Sequence, residues 1–275
     1  MRTCCFELTG EFMRQPSLFV SHGSPMLALD GGAYGRDLRR FADGLPERPK
    51  TILAVSAHWY AHLPLRITTA QNPGIIHDFS GFPADLFALD YPVPGNPKLA
   101  EKASTLLSNA GFKGVADSQR GFDHGVWSVL RHAFPDADIP VVQVMLPMIE
   151  PARLAELGQA LAPLRNEGVL ILGTGGLIHN LRRVRWDSAG DSIEPWALEA
   201  EAWFMERIER LEGRRSDELF RHRELLPLSF EAAPTTEHLD PLFVALGASD
   251  ERDSLTPVFE GFQMGNLSLR SFAWM

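Results

Sequence analysis

The chain has 275 residues, 45% hydrophobic and 22% charged, a composition that supports a folded core and excludes disorder over most of its length. Its 26 basic and 35 acidic side chains leave a net charge of −9, which disfavours nucleic acid and anionic membrane surfaces as partners and leaves small molecules open. No run of about 18 apolar residues occurs, so no membrane-spanning helix is expected. Glu7 and Glu11 interrupt the N-terminal stretch, which argues against a signal peptide, and Met13 is a candidate alternative start. The only cysteines, Cys4 and Cys5, are adjacent, which excludes a disulfide framework and a CxxC zinc site. A reducing, cytoplasmic setting is the expectation.

Taken in chain order, short β-branched apolar runs predict strands at Ser17–Val20, Thr51–Ser56, Leu65–Thr69, Val141–Leu146 and Val169–Gly173. Helical patterns fall between them near Ala33–Phe41, Pro97–Asn109, Val126–His132 and Pro151–Leu164. Pro97 and Pro151 stand where a first helical turn tolerates proline, and Gly111 and Gly168 act as stops. A long helix follows around Glu194–Leu211, and another near Glu237–Leu246. The tail, Thr256–Ala273, reads as two strands around Met264-Gly265-Asn266. Two stretches are rich in loop signals, Gln71–Pro97 and Asp187–Pro195, and a loop as long as the first is often functional. The alternation predicts an α/β fold: a single domain with a central, mostly parallel or mixed sheet flanked by helices. Residues 1–15 read as an N-terminal extension and residues 16–275 as the domain.

The nine histidines are placed selectively. His22 directly follows the first predicted strand, His58 the second, and His179 lies just beyond Val169–Gly173. Ligand crevices of parallel α/β sheets form at the carboxyl ends of strands, so these three can converge. His124, before a helix, and His238, near a helix start, are further candidates. Imidazole ligates zinc, iron, copper or nickel, and its pKa near 6.5 also suits proton transfer. A lone histidine after a strand is more often a hydrogen-bonded structural residue, and the wide separation of these five adds nothing by itself. HExxH, GxSxG and GxxxxGK[ST] are absent, and Gly173–Gly176 is not GxGxxG, since Ile178 occupies the last position.

Seven strings occur together: Ser21-His22-Gly23-Ser24-Pro25, Ser56-Ala57-His58-Trp59, His77-Asp78-Phe79-Ser80-Gly81-Phe82-Pro83, Tyr91-Pro92-Val93-Pro94-Gly95, Asp123-His124-Gly125, Gly175-Gly176-Leu177-Ile178-His179-Asn180 and Glu237-His238-Leu239-Asp240-Pro241. In that order, from about Pro16 onwards, they resemble the class III extradiol ring-cleavage dioxygenases, in particular the bacterial and plant DOPA 4,5-dioxygenase branch. The resemblance implies a metal site at one end of the sheet and a non-haem Fe(II)-dependent cleavage of a catechol ring with O₂ to a muconic semialdehyde. It implies His22, His58 and His238 as metal ligands and His179 as the acid/base residue, or as a fourth ligand when zinc is bound. His124 is implied as a second catalytic histidine, and His77 and Phe79, in the long loop, as substrate contacts. Three histidines depart from the usual two-histidine, one-carboxylate set, so Zn(II) is expected to compete for the site in purified protein. Glu237 is the alternative ligand, but adjacent helical residues point about 100° apart, so it and His238 cannot both serve. Asp123 and Asn180 are expected to orient histidines. Trp59 is expected to pack as a buried structural residue, and His132 and His222 to lie on helix surfaces. A zinc-dependent hydrolase using the same histidines and a non-catalytic binding protein are the competing readings.

Overall fold

Alternating side chains along the central strands decide the architecture. In the first strand, β1 (Ser17–Ser21), Leu18 and Val20 enter one core while Phe19 enters the other. The computed structural model describes residues 13–186, 192–210 and 217–275. Residues 1–12 of the expected extension, with Cys4 and Cys5, and most of the Asp187–Pro195 loop therefore lie outside the described residues. After β1 come α1 (Gly32–Asp43), β2 (Thr51–Ala61), β3 (Leu65–Thr68), α2 (Ala84–Phe87), α3 (Pro97–Asn109) and β4 (Gly114–Asp117). Next are α4 (His124–Ala133), β5 (Val141–Pro147), α5 (Pro151–Leu161), β6 (Val169–Gly175) and α6 (Pro195–Glu209). Three one-turn helices follow, α7 (Asp217–Phe220), α8 (His222–Leu225) and α9 (Ser229–Ala232), then α10 (Asp240–Gly247). The chain closes with β7 (Leu255–Phe259), β8 (Phe262–Gln263), β9 (Leu267–Ser268) and β10 (Ser271–Trp274).

Eight strands form one mixed sheet in the order β4-β3-β5-β2-β6-β1-β10-β7. The middle four, β5-β2-β6-β1, are parallel, so their carboxyl ends share one edge. β3 runs antiparallel to β5, and β10 and β7 add antiparallel strands beyond β1. Strands buried on both faces must be apolar nearly throughout, which explains Ile52–Val55 and Val169–Leu172. Leu53, Val55 and Ile171 join the core under α3, α5, α6 and α10; Ile52, Ala54, Leu170 and Leu172 join the core under α1 and α4.

The structure corrects several expectations. β2 runs on to Ala61 through a register shift between Ser56 and Tyr60, and such a bulge hides the strand's second half from any period-2 pattern. Edge strand β4 was not anticipated because its two central residues are exposed. The tail holds four short strands rather than two: β8 and β9 form the hairpin around Met264 and Gly265, while β7 and β10 join the main sheet. His222 is not on a surface. It is 1% exposed, with rings of Phe204 and Phe243 against it and its Nδ1–H donated to Leu219 O at 3.0 Å. His132 is half-buried, bonded to Leu27 O at 2.7 Å, and occupies the space left by Gly31 and Gly35. Far from the strand ends, Arg165 is fully buried and completely engaged. It donates to the carbonyls of Gln15, Ala248 and Trp274 and makes a two-pronged pair with Asp253 at 2.7 Å. No helix among the described residues is long and apolar enough to cross a membrane.

Candidate metal centre

The shared carboxyl edge of the parallel strands gathers the histidines. His22 leaves β1 and stays in register, its N–H donated to Gly175 O of β6 at 3.0 Å. His58 sits inside the β2 bulge, where its N–H donates to Ser56 Oγ at 3.1 Å and the ring turns off the ladder toward His22. His124 opens α4. His179 lies in the segment after β6, its N–H donated to Ala232 O at 2.8 Å. His238 precedes α10, in a turn rather than in the helix, and its carbonyl accepts from Gly176 N–H at 2.7 Å. A side chain at Gly175 would meet that carbonyl at 2.0 Å, so only glycine lets β6 and the His238 backbone close on each other.

Ring positions are tight. His22 Nε2 and His58 Nε2 are 3.0 Å apart. Ligand atoms of His22, His58 and His124 all lie within 4.8 Å of one another. The His238 ring centroid is 5.3 Å from that of His22 and 5.1 Å from that of His58. His179 stacks on His238 at 3.6 Å with an interplanar angle of 7°. All five expected histidines thus meet, with His124 in the closest group and His238 directly beside it. The Gly125 position is equally close: a side chain there would meet Ser56 Oγ at 2.6 Å, His58 Cδ2 at 3.1 Å and His22 Nδ1 at 3.2 Å.

Each of four rings is fastened through Nδ1. His22 Nδ1 is 3.0 Å from Thr174 Oγ1, whose own proton goes to Gly125 O at 2.8 Å, so the hydroxyl accepts and His22 Nδ1 carries hydrogen. His58 Nδ1 is 3.2 Å from Asp78 Oδ2, and His124 Nδ1 is 3.0 Å from Asp78 Oδ1. His238 Nδ1 is 3.2 Å from Glu237 Oε1. Burial alone would raise the Asp78 carboxyl, but hydrogen bonds and charge from His124, with His58 beyond, pull it down to about 2. Burial acts the same way on Glu237 and loses to hydrogen bonds from His238 and Thr235, which hold it at about 2 as well. Both are ionised acceptors at neutral pH. Burial, then the neighbouring imidazoles, drives His22, His58 and His179 well below the usual histidine value, so these rings are neutral.

Neutral His22 and His58, each with hydrogen on Nδ1, turn two bare lone pairs toward each other at 3.0 Å. That arrangement is repulsive unless a cation accepts both. Metal–nitrogen bonds of about 2.1 Å at a right angle set two nitrogens about 3.0 Å apart, so the donor set fits a metal ion.

Glu237 and His238 are not rivals on one helix; the carboxylate holds the imidazole. Asp123 and Asn180, expected to orient histidines, bond none. Asp123 is fully buried and accepts from Ser56 Oγ at 2.7 Å and from Gln143, while Asn180 bonds Glu231 O and the Arg182 N–H. The orienting partners are Asp78, Thr174 and Glu237. Asp78 stood between His77 and Phe79 in the quoted motif, yet only those two neighbours were expected at the site. Phe79 does reach the cluster, its ring 5.4 Å from that of His124. His77 packs behind it, 5.6 Å from Phe79 and bonded to Leu89 O at 3.2 Å. Trp59 is 8% exposed with the Arg120 guanidinium 4.7 Å over its ring, the expected structural role.

Residues 16–270 match the family model described as the catalytic LigB subunit of aromatic ring-opening dioxygenase. The chain belongs to this family. It is an extradiol ring-cleavage dioxygenase, an oxidoreductase of the class III group. It is 39% identical over 265 residues to the 4,5-DOPA dioxygenase extradiol of Escherichia coli (strain K12), covering 94% of each chain. A protein of the same name from Portulaca grandiflora is 37% identical over 262 residues, covering 93% of this chain and 94% of that one. The crystal structure of the uncharacterized protein JW3007 from Escherichia coli K12 has a TM-score of 0.81 at 34% identity, covering 94% of this chain and 99% of that one. In this LigB-family chain the histidine cluster fits a metal site, and it lies at the sheet edge where α/β folds bind ligands.

Proposed function

We propose that this dioxygenase cleaves the ring of DOPA or a related substituted catechol beside its two hydroxyls, consuming O₂ and releasing a muconic semialdehyde, with Fe(II) as the working metal. The observation that carries the reading is the 3.0 Å approach of the Nε2 atoms of His22 and His58 amid three further histidines. Relatives bearing the DOPA dioxygenase name over nearly the whole chain support the substrate class. Under this reading His22, His58 and His238 hold the metal. The ion supplies Lewis acidity that favours the deprotonated catechol and a redox centre for O₂.

The chain's own groups do the remaining work. His179, neutral and half-buried, accepts the proton of the second catechol hydroxyl at a ring nitrogen. Its stacking on His238 fixes the direction of that transfer. Later the same proton returns from His179, or one comes from His124, when the O–O bond breaks. Phe79 and His77 close one side of the space beside His124 and contact the aromatic ring. With zinc in the site, His179 would be available as a fourth ligand and would then no longer serve as the base.

The test is anaerobic reconstitution of metal-free protein with Fe(II), followed by oxygen-electrode and visible-absorption measurements with DOPA and a panel of catechols. One O₂ consumed per catechol, with a yellow product, is the expected result. Confirmed iron loading with no oxygen uptake across the panel overturns the proposal.

A further inference from the structure

Of the carboxylates around the centre, Asp78 alone touches two of the histidines, and the chemistry above gives it no task. It belongs to the segment between β3 and α3. Its Oδ2 lies 3.2 Å from His58 Nδ1, and its Oδ1 accepts from the backbone N–H of His124 at 2.8 Å and from His124 Nδ1 at 3.0 Å. The backbone contact also caps the first turn of α4, where Asp123, the residue at the capping position, makes no side-chain cap. The side chain of Asp78 is 20% exposed, so water competes only weakly for its oxygens.

Backbone hydrogen bonds seat the segment that carries the carboxylate. Ile76 N–H donates to Phe122 O at 2.8 Å, Phe122 N–H donates to Gly74 O at 2.9 Å, and Ile76 O accepts the Trp127 indole N–H at 3.0 Å. On the other side, His77 bonds Leu89 O and Phe79 packs on His124. Neighbours on both flanks of Asp78 are therefore anchored to the rim of the site.

A neutral imidazole that gives its Nδ1 hydrogen to a carboxylate keeps its lone pair on Nε2. We infer that Asp78 is a positioning residue that selects the Nε2-lone-pair tautomer of His58 and His124 together, and so makes metal affinity depend on the seating of the Gln71–Pro97 loop. The inference rests on the reading of His58 as a ligand. Linkage makes the effect reciprocal: an ion on His58 Nε2 confines hydrogen to Nδ1, which holds Asp78 and its loop in place.

Asparagine discriminates at this position because it keeps the shape but offers one acceptor oxygen. Two donors of His124 claim that oxygen, and the amide NH₂ then faces His58 Nδ1. His58 can meet it only by moving its hydrogen to Nε2, which blocks ligation. Changes to groups that orient metal-binding histidines weaken affinity by about 10–100-fold.

The experiment uses histidine-¹⁵N-labelled, metal-free full-length protein. Two-bond ¹⁵N–¹H correlations report each ring's tautomer, calorimetric and visible-absorption titration with Co(II) reports affinity, and amide exchange of residues 74–80 reports the loop. In the wild type both rings are expected as Nδ1–H, with Co(II) slowing exchange across 74–80. In Asp78→Asn at least one ring is expected as Nε2–H, with Co(II) affinity about 10–100-fold weaker and the protection of 74–80 reduced. Asp78→Glu, which restores two acceptor oxygens, is expected to recover Nδ1–H and part of the affinity. Unchanged tautomers and Co(II) affinity in a folded Asp78→Asn variant overturn the inference. Nε2–H at His58 and His124 in the wild type also overturns it, whether or not the variant folds. A wild type with Nδ1–H rings and tight Co(II) binding, but no oxygen uptake in the iron form, refutes catechol cleavage and leaves the role of Asp78 standing.

Discussion

Replacing Gly125 by alanine sets backbone preference against packing at the metal centre. Gly125 is the second residue of α4, and alanine there gains about 1 kcal/mol of helix propensity. The added carbon would stand 2.6 Å from Ser56 Oγ, 3.1 Å from His58 Cδ2 and 3.2 Å from His22 Nδ1. None of these neighbours retreats freely. Ser56 donates to Asp123 and accepts from the His58 N–H, and His22 is tied to Thr174. Each hydrogen bond given up costs about 1 kcal/mol, and forcing a methyl into a filled site costs about 1–3 kcal/mol. Sterics therefore outweigh propensity: the variant is expected to lose about 1–3 kcal/mol of stability in urea unfolding of the metal-free protein. Co(II) affinity, read by calorimetry, is expected to fall with it, because His22 and His58 must move apart. A variant as stable as its parent, with unchanged Co(II) affinity, refutes the argument that glycine is there for ring approach.

Other outcomes follow from the same geometry. Under the proposed ligand set, His238→Ala loses stoichiometric metal, whereas His124→Ala and His179→Ala keep it; metal analysis of the purified variants decides, and metal loss in Glu237→Ala but not His238→Ala reverses the third-ligand assignment. His179→Ala in its iron form is expected to lose about 10²–10⁴-fold in turnover, the usual contribution of a general acid/base. Arg165→Met removes the two-pronged pair to Asp253, whose side chain is 3% exposed, together with hydrogen bonds to three buried carbonyls, and is expected to cost about 3–5 kcal/mol by denaturant unfolding. Burial pushes His222 down to about 4 from the usual histidine value near 6.5. Unfolded chains therefore bind the proton first, and the wild type loses stability as pH falls from about 6.5 toward 4, by up to about 3 kcal/mol. His222→Gln should flatten that slope, measured as the difference between the two proteins at pH 7.5 and pH 4.5.

How much of this was legible in the sequence follows the physics of each element. Strands buried on both faces announce themselves, so β1, β2, β5 and β6 and the histidines after them were readable. The second half of β2 was not, because a bulge breaks the alternation that strand recognition needs. β4 lacks an apolar centre, and β7 to β10 are too short for pattern to separate them. Glu237 and His238 read as helical because Asp240–Gly247 continues their pattern, yet they stay in a turn, where one holds the other. Thr174 and Asp78 were hidden for a different reason: what they do depends on groups 152 and 46 residues away in the chain, and no local signal encodes such a distance. His222 escaped because a buried histidine on a one-turn helix looks polar in sequence.

The position of β1 in the sheet has a consequence for how this protein is made. β1 lies between β6 and β10, pairing with residues 169–175 and with residues 271–274. Arg165 then ties Gln15 to Ala248 and Trp274. During synthesis the strand that carries His22 waits for β6 before it gains one neighbour and longer still for β10 before it gains the other. Contacts of such long sequence separation form late. The His22 end of the cluster therefore comes together with His58 only once β6, which lies between β1 and β2, has been made.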